Sequence, residues 1–358
     1  WNKLGSAWGR HEEGQVMAQS MPSGTNTFIP GMVQDNLIVG YARNIEDYAL
    51  NRYIQVVPTP KNQAYYLYID GAAAARLTDA DLRNVVWPDG QPRPSGDNNQ
   101  AEFEFKPIAT TRRSYEFTVG DMAVEQADWD VVSVNSGFQA NRAMIARTMG
   151  VMSALSGASW GSNTGTATSL GGGFANTGTA TSPVFKKIVN KVVQQIRKAT
   201  FGAVKAKDLC MIMSPLLAET LSESQEIHSY VKESPFALAQ IKGDAPGQNT
   251  NYGLPDVLYK IPVIVDDSYK VTSKRGATLA TSAVMDENKI YFVSRPGNLV
   301  MPYGGISYST VQVFVREEMS VEAYPDSKNR LRQGFVTDDW GAYVVAPASG
   351  YAVTAALS

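Results

Sequence analysis

The strongest constraint in this sequence is a helix, a buried strand and a second helix in close succession between residues 182 and 221. Ser182 can cap the free N–H groups of the first helix, and the missing N–H of Pro183 costs nothing at that position. Apolar residues then recur at helical spacing, while lysine, arginine and glutamine take the opposite face. Leu209–Met213 is an unbroken apolar run typical of a buried strand, and Ser214-Pro215 begins the second helix. This organisation predicts a rigid packed plate, and it contains no catalytic constellation.

Length and composition limit what the whole chain can be. With 358 residues, it is long enough for about two domains or for one domain with large extensions. Only 18% of the residues are charged, which suits a chain that hides surface in an assembly but is also common in secreted proteins. The net charge is −2 and no long basic run occurs, which argues against a protein that wraps DNA through phosphate contacts.

The sequence lacks the signals expected of an intrachain disulfide, a membrane span or a signal segment. Cys210 is the single cysteine, so it cannot form an intrachain disulfide, and its apolar surroundings predict a core residue. No apolar stretch reaches about 18 residues, so no membrane span is predicted, and no signal segment opens the chain. The first residue is Trp1, which leaves open a late start or the proteolytic removal of a preceding segment.

The first third of the chain predicts two extended features. Residues 1–45 predict an arm that neighbouring molecules order, because Trp1, Trp8 and other apolar side chains are costly to leave in water. Strand-like runs at 52–58 and 64–70 come before a polar, turn-rich excursion at 71–100. Strand-like alternation resumes at 102–106 and 114–119. Two strands that bracket an excursion of about 30 residues predict a projecting hairpin.

The rest of the chain alternates between helix and strand signals. Residues 128–155 predict a helix whose apolar residues lie near one face, namely Val131, Val134, Phe138, Met144, Ile145, Met149 and Met152. Gly157 is predicted to stop it in the left-handed conformation. The span 156–182 is of low complexity and holds two identical copies of Asn-Thr-Gly-Thr-Ala-Thr-Ser, either a turn repeat or a duplication in a tolerated loop. Apolar strand patterns follow at 258–267, 289–293, 310–315 and 340–347. Charged turns are predicted at 317–318 and 326–332.

One motif raises the possibility of enzymatic chemistry. Gly157-Ala158-Ser159-Trp160-Gly161 fits the nucleophile elbow of serine hydrolases, and Asp208 and His228 lie downstream. That chemistry requires a strand before the serine and a helix after it, whereas a helix-like segment comes before it and a Gly/Thr-rich loop after it. A chance match is therefore favoured.

The remaining polar motifs are read as structural. His11 and His228 are the only histidines and lack metal-ligand spacing, which favours surface roles. Three adjacent acidic pairs favour turn or cap roles, although a divalent cation between subunits stays an alternative. They are Asp266-Asp267, Glu317-Glu318 and Asp338-Asp339. No catalytic residue, cofactor or metal site is predicted.

The order of these elements resembles the major capsid proteins of tailed bacteriophages, which have the Hong Kong 97-like fold. The resemblance covers most of the chain. Residues 261–265 are similar to the family's Gly-Ile-Pro-Val-Val-Val strand, with Lys260 in the glycine place, and residues 335–347 are similar to its closing strands. The ordered set carries the resemblance, because no single motif is diagnostic. The covalent Lys–Asn crosslink of some members is not carried over, because the excursion contains no lysine.

The resemblance implies an α+β fold with an N-terminal arm, an extended loop, and peripheral and axial domains. The arm would be 1–45 and the extended loop 71–100. The peripheral domain would comprise 46–70 and 101–205, with a long spine helix at 183–200. The axial domain would be 206–320, and strands at 321–358 would return to the peripheral domain.

The same resemblance implies a subunit that assembles into hexamers and pentamers of an icosahedral shell around double-stranded DNA. Partners would be copies of itself, a portal, scaffold or decoration proteins, and DNA bound without sequence specificity; no membrane is involved. The shell would assemble in the host cytoplasm and end in the virion. The alternatives are an encapsulin-like nanocompartment and, from another class, a secreted serine hydrolase using Ser159.

Candidate contact residues follow from the arm, the excursion and the helix. In the arm and excursion they are Trp1, Trp8, Arg76, Arg83, Trp87, Asp89 and Arg93. On the helix they are Lys186, Lys187 and Arg197, which can face DNA, the acids of a neighbouring subunit, or solvent. The charges of the excursion can form intersubunit ion pairs or simply keep an exposed hairpin soluble.

Overall fold

A computed structural model describes most of the chain. The described residues are 43, 45–69, 86–93, 103–172, 184–227, 252–274, 276–296 and 309–354, with the backbone of 19–20 and 27–28. Four of the expected contact residues lie outside this part, namely Trp1, Trp8, Arg76 and Arg83. So do Ser182 and Pro183, the expected start of a helix, and His11 and His228.

Five α-helices occur in the described part. They are α1 (Asp121–Gln126), α2 (Val131–Gly157), α3 (Ala167–Leu170), α4 (Phe185–Ala199) and α5 (Pro215–Ser222). Single turns of 3-10 helix lie at Ile45–Asp47, Ala49–Arg52, Ala206–Asp208 and Pro347–Ser349.

The strands form five sheets in the described chain. The first nine strands are β1 (Gln19–Ser20), β2 (Thr27–Phe28), β3 (Gln55–Pro58), β4 (Gln63–Ile69), β5 (Phe103–Ala109), β6 (Thr111–Gly120), β7 (Thr164–Thr166), β8 (Leu209–Met213) and β9 (Val257–Leu258). The others are β10 (Ile261–Val265), β11 (Tyr269–Val271), β12 (Thr281–Ala283), β13 (Lys289–Ser294), β14 (Val311–Asp326), β15 (Leu331–Val344) and β16 (Tyr351–Thr354). The strand orders are β7-β16-β13-β8-β10-β9, β3-β14-β15-β6, β4-β5, β11-β12 and β1-β2.

Strand β8 lies at the centre of the six-stranded sheet and is buried on both faces. It pairs in parallel with β10 and antiparallel with β13. Leu209, Met211 and Met213 face one hydrophobic core, whereas Cys210 and Ile212 face another. Successive side chains of a strand point to opposite faces, so an unbroken apolar run is required where both faces are covered. The strand predicted from that run is confirmed.

Helix α4 covers one face of this sheet. Its apolar stripe of Phe185, Ile188, Val192 and Ile196 is buried in the same core as Met211 and Met213. The two faces predicted for this helix are confirmed, but it has only 15 residues and is not the long helix of the described chain. That helix is α2, with 27 residues.

Helix α2 differs from its prediction at both ends. It begins at Val131, after Asp130 accepts hydrogen bonds from the N–H groups of Val132 and Ser133. Gly157 is its last residue and is not among the described residues with positive φ, so the predicted left-handed stop is wrong. Of its predicted apolar face, Val131, Met144 and Met152 are buried as expected, whereas Phe138 and Met149 are exposed. Ala143, Val151 and Leu155 are the further residues that this helix buries.

Two strand boundaries also differ. The apolar run at 258–267 is broken into β9 and β10 by a turn at Tyr259 and Lys260, which have φ of 51° and 70°. Lys260 therefore occupies a left-handed position that favours glycine. Glu317 and Glu318, predicted as a turn, lie within β14. The charged turn predicted around 326–332 is confirmed between β14 and β15, where Asp326 accepts hydrogen bonds from Lys328 and Asn329.

The described residues belong to two compact units. One contains 114–140 and 321–336, with a small core built on Phe117, Val119 and Val131. The ring of Phe117 would lie 2.1 Å from a Cβ at Gly334, so this strand position has no room for a side chain. The other unit contains the described residues within 43–113, 141–320 and 337–358 and holds both larger cores.

Candidate assembly surfaces

The β4–β5 ribbon presents an apolar face to solvent. Its strands pair antiparallel, with Tyr65 opposite Pro107 and Leu67 opposite Phe105. Tyr65 is 70% exposed and Phe105 68%, and Leu67 is also exposed. These three side chains share one face, because alternate residues of a strand point the same way. Large apolar side chains grouped on one exposed face mark an interaction surface.

The opposite face of the ribbon is anchored to the body of its unit. The ring of Tyr66 stacks on Phe314 with centroids 6.4 Å apart, and Ile108 is buried. The hydroxyl of Tyr343 donates to the Ala109 carbonyl at 2.9 Å and accepts from the Ala109 N–H at 2.9 Å. A two-stranded ribbon is only marginally stable alone, so these contacts hold it in place.

The described part of the excursion, residues 86–93, is a turn that fixes a tryptophan. The N–H of Gln91 donates to the Pro88 carbonyl at 3.2 Å, and Gly90 has a φ of 78°. The indole N–H of Trp87 donates to the Gln91 carbonyl at 2.6 Å, and the Arg93 guanidinium lies 5.3 Å from the Trp87 ring centroid. Asp89 is exposed at the same turn. The structure therefore brings together three of the expected contact residues: Trp87, Asp89 and Arg93.

The exposed face of α4 carries the other expected residues, Lys186, Lys187 and Arg197. The beginning of this helix is capped by a residue that sequence reasoning missed. The buried carboxylate of Glu226 accepts from the N–H groups of Val184, Phe185 and Lys186 at 2.8, 2.9 and 3.1 Å. Negative charge at a helix N-terminus is stabilising. No local signal identifies Glu226, because its partners lie about 40 residues away along the chain.

Buried carboxylates of the larger unit are held by arginines and hydroxyls. Arg147 contacts Asp338 at 2.6 Å and Arg316 contacts Asp339 at 2.5 Å. Burial raises the pKa of Asp338, although the charge of Arg147 opposes this. The turn or cap role predicted for Asp338-Asp339 is therefore wrong, since both lie within β15 and pair with arginines.

The pair Asp266-Asp267 follows its prediction more closely. Asp266 accepts from the Ser268 N–H just after β10, as expected of a turn residue. It also accepts from the Tyr53 hydroxyl at 3.3 Å, and burial raises the pKa of both groups. Asp267 pairs with Arg43.

Ser159 does not lie in a nucleophile elbow. The helix α2 ends at Gly157, Ser159 lies in an irregular exposed segment, and β7 follows at Thr164. The strand-to-helix turn that would aim a serine nucleophile is absent at this position. Asp208 is engaged elsewhere, since its carboxylate accepts from the Lys205 N–H at 3.1 Å. Among the described residues, no group of three or more histidine, cysteine or acidic side chains is arranged to hold a metal ion.

Comparison with known proteins identifies the fold. No protein-family model matches the sequence, and no curated protein matches it. A chain of the mature capsid of bacteriophage PhiM1 matches with a TM-score of 0.54 and 11% identity, over 90% of each chain. A chain of the capsid of cyanophage P-SCSP1u matches with a TM-score of 0.53 and 10% identity, over 94% of this chain and 97% of that one.

This chain has the phage capsid fold. A chain of the holo-SrpI encapsulin complex from Synechococcus elongatus shares it, with a TM-score of 0.50 and 8% identity over 89% of this chain. The fold class predicted from the order of elements, α+β, is confirmed. No described helix of this capsid fold meets the length and hydropathy needed to cross a membrane.

Proposed function

We propose that this chain is a major capsid protein, a subunit that self-assembles into hexamers and pentamers of an icosahedral shell around double-stranded DNA. The observation that carries the proposal is the phage capsid fold over about nine tenths of the chain. The exposed apolar face of the β4–β5 ribbon supports it, because a shell subunit needs surfaces that remain incomplete until a neighbour covers them.

Several weak contacts per subunit are enough for such a shell. A contact with a dissociation constant of 1 mM corresponds to about 4 kcal/mol. Closed symmetry makes each subunit engage several neighbours at once, so the loss of one subunit requires breaking all of its contacts together. The arm at 1–45, the loop at 71–100 and the β4–β5 ribbon are the proposed sources of these contacts.

The proposed domain assignment is adjusted for the elements that share a core or sheet with β8. Helix α4 shares a core with β8 and β10, so we assign it to the axial domain at 206–320 rather than to the peripheral domain. Helix α2 is then the better candidate for the spine, because it has 27 residues. Strands β7 and β16 lie in the same six-stranded sheet as β8, so we assign them to the axial domain as well, while the closing strands β14 and β15 stay in the peripheral domain from residue 321 onward.

A portal, scaffold or decoration proteins, and packaged DNA are the proposed partners, with assembly in the host cytoplasm and a final location in the virion. An encapsulin-like compartment is the second candidate, favoured by the match to the SrpI encapsulin complex. The two functions differ in what the shell encloses, which is DNA in one case and a cargo protein in the other.

Electron microscopy of the purified protein tests the proposal. We expect closed particles of uniform diameter, and particles recovered from producing cells should contain nuclease-protected double-stranded DNA. Particles that instead contain one abundant foreign protein and no protected DNA would establish the encapsulin alternative. A protein that stays monomeric at all concentrations and with nucleic acid present would contradict both shell functions.

A further inference from the structure

A half-open cavity in the larger unit has no role in the fold described above. Its volume is about 380 Å³, within the range of roughly 300–1,000 Å³ typical of binding pockets. Met149, Met152 and Met285 line it together with Tyr291. Met152, Met285 and Tyr291 are buried, whereas Met149 is partly exposed. Methionine side chains adapt to the shape of a guest and make favourable sulfur–aromatic contacts.

The charged groups that line this cavity are one cation and one anion, beside the polar residues Ser153, Ser156 and Tyr291. Lys270 and Asp286 both line it, and Lys289 pairs with Asp286 at 3.1 Å. A guest that suits the cavity therefore combines an aromatic body with an acidic and a basic group beside it.

The turn at 86–93 carries this combination. Trp87 is 56% exposed, although its indole N–H is hydrogen-bonded to Gln91 and the Arg93 guanidinium lies over its ring. A rigid exposed tryptophan loses little conformational freedom on binding, and tryptophan is enriched at the energetic centres of interfaces. Asp89 and Arg93 flank it, so they can face Lys270 and Asp286 respectively.

We infer that Trp87 of one copy of this chain inserts into the methionine-lined cavity of a neighbouring copy, with Asp89 against Lys270 and Arg93 against Asp286. The contact is heterologous, since a turn on one copy meets a cavity on the next, and such contacts generate rings when the rotation closes. This inference rests on the proposed function, because it requires copies to meet in an assembly.

Site-directed crosslinking tests the contact directly. Two proteins are prepared with tags of different size, one carrying Asp89→Cys and the other Lys270→Cys, and they are assembled together. A short flexible bismaleimide should join them into a product that contains both tags. Cys210 gives little background, because it is fully buried. The matched control replaces Lys270→Cys by Lys328→Cys, an exposed lysine of the β14–β15 turn, and should give at least tenfold less product.

Blocking the cavity provides an independent test of the contact. Ser153 is exposed and lines the cavity, so Ser153→Phe should fill it and reduce the Asp89–Lys270 crosslink at least tenfold. Ser133→Phe, at an exposed position of the same helix, should leave the crosslink unchanged. Trp87→Ala should act like Ser153→Phe, and Trp87→Phe should restore part of the yield.

The outcomes separate this inference from the proposed function. Normal particles with no mixed-tag product above the control would overturn the contact and leave the shell function standing. Wild-type protein that forms no particles would remove the shell function and this contact with it. A crosslink that persists unchanged in Ser153→Phe would show that the turn lies near the cavity without entering it, which also overturns the insertion.

Discussion

The hydroxyl of Tyr259 donates a hydrogen bond to Glu226 at 2.6 Å, and the same carboxylate caps the first turn of α4. The ring of Tyr259 also packs against Phe185, with centroids 6.1 Å apart. One buried carboxylate therefore joins the β9–β10 turn to the beginning of the helix. These contacts fix α4 over the six-stranded sheet, and Lys186, Lys187 and Arg197 lie on the exposed face of that helix.

Replacing Glu226 by alanine should strongly destabilise the larger unit. The change leaves three helix N–H groups without their acceptor and removes the partner of the Tyr259 hydroxyl. We expect the free energy of unfolding to fall by about 2–4 kcal/mol, measured by urea denaturation. Tyr259→Phe removes only one of these hydrogen bonds and should cost about 1 kcal/mol. Equal losses for both variants would contradict the capping role.

Two glycines of α2 should respond in opposite directions to alanine. A Cβ at Gly150 would lie 2.1 Å from the ring of Trp340, so Gly150→Ala should cost about 1–3 kcal/mol through overpacking. A Cβ at Gly137 meets nothing within 4 Å, so Gly137→Ala should stabilise by about 0.5–1 kcal/mol through helix propensity. Thermal unfolding of the two variants checks this, and a stabilising Gly150→Ala would refute the close packing of Trp340.

Removal of the Arg147 charge should produce a pH-dependent loss of stability. Arg147→Met leaves the carboxylate of Asp338, only 1% exposed, without its ion-pair partner and should cost about 3–5 kcal/mol at neutral pH. In contrast, Arg112→Met breaks the exposed pair with Glu317 and should cost at most about 1 kcal/mol.

The direction of the pH effect follows from the raised pKa of Asp338. Between the ordinary aspartate pKa and this raised value, the native state binds more protons than the unfolded state, so the contribution of Asp338 to stability rises as the pH falls. Loss of Arg147 raises the pKa of Asp338 further and so extends this pH range to higher pH. The cost of Arg147→Met should therefore shrink in mildly acidic buffer, as denaturation curves at several pH values can establish. A cost that grows on acidification would mean that Asp338 is not the group left unpaired.

The thiol of Cys210 should be unreactive in the native protein. Burial raises its pKa to about 12, and the thiolate is the reactive form. A maleimide should modify no thiol in native buffer and one thiol per chain in denaturant, counted by mass spectrometry. Rapid native modification would mean that β8 opens locally far more often than its position at the centre of the sheet implies.

The exposed face of the β4–β5 ribbon should be needed for assembly but not for folding. Tyr65→Ser, Leu67→Ser and Phe105→Ser in one chain remove apolar surface that solvent already reaches, so the unfolding transition should change little. Particle formation, followed by electron microscopy, should be lost. The control is Tyr66→Ser on the opposite face, which removes the stacking on Phe314 and should lower stability. Normal particles from the triple variant would exclude this face as a contact.

The sequence by itself determined the elements whose signals are local. The apolar period fixed the faces of α4, the unbroken run at Leu209–Met213 required a strand buried on both sides, and Ser214-Pro215 began α5, where Ser214 accepts from the Leu217 N–H. These features depend on neighbours within a few residues, so the residue pattern contains the relevant physics.

Only the tertiary structure decided which distant residues meet. Glu226 reaches α4 and Arg147 reaches Asp338 across large separations in sequence, and adjacent carboxylates within β15 were mistaken for turn residues because their partners are not local. The turn at Tyr259 and Lys260 was hidden for a similar reason, since both residues carry side chains at positive φ and Tyr259 is held there by distant partners, Phe185 and Glu226. Long-range contacts depend on how the sheets and helices pack together, and that packing is set by the whole chain at once.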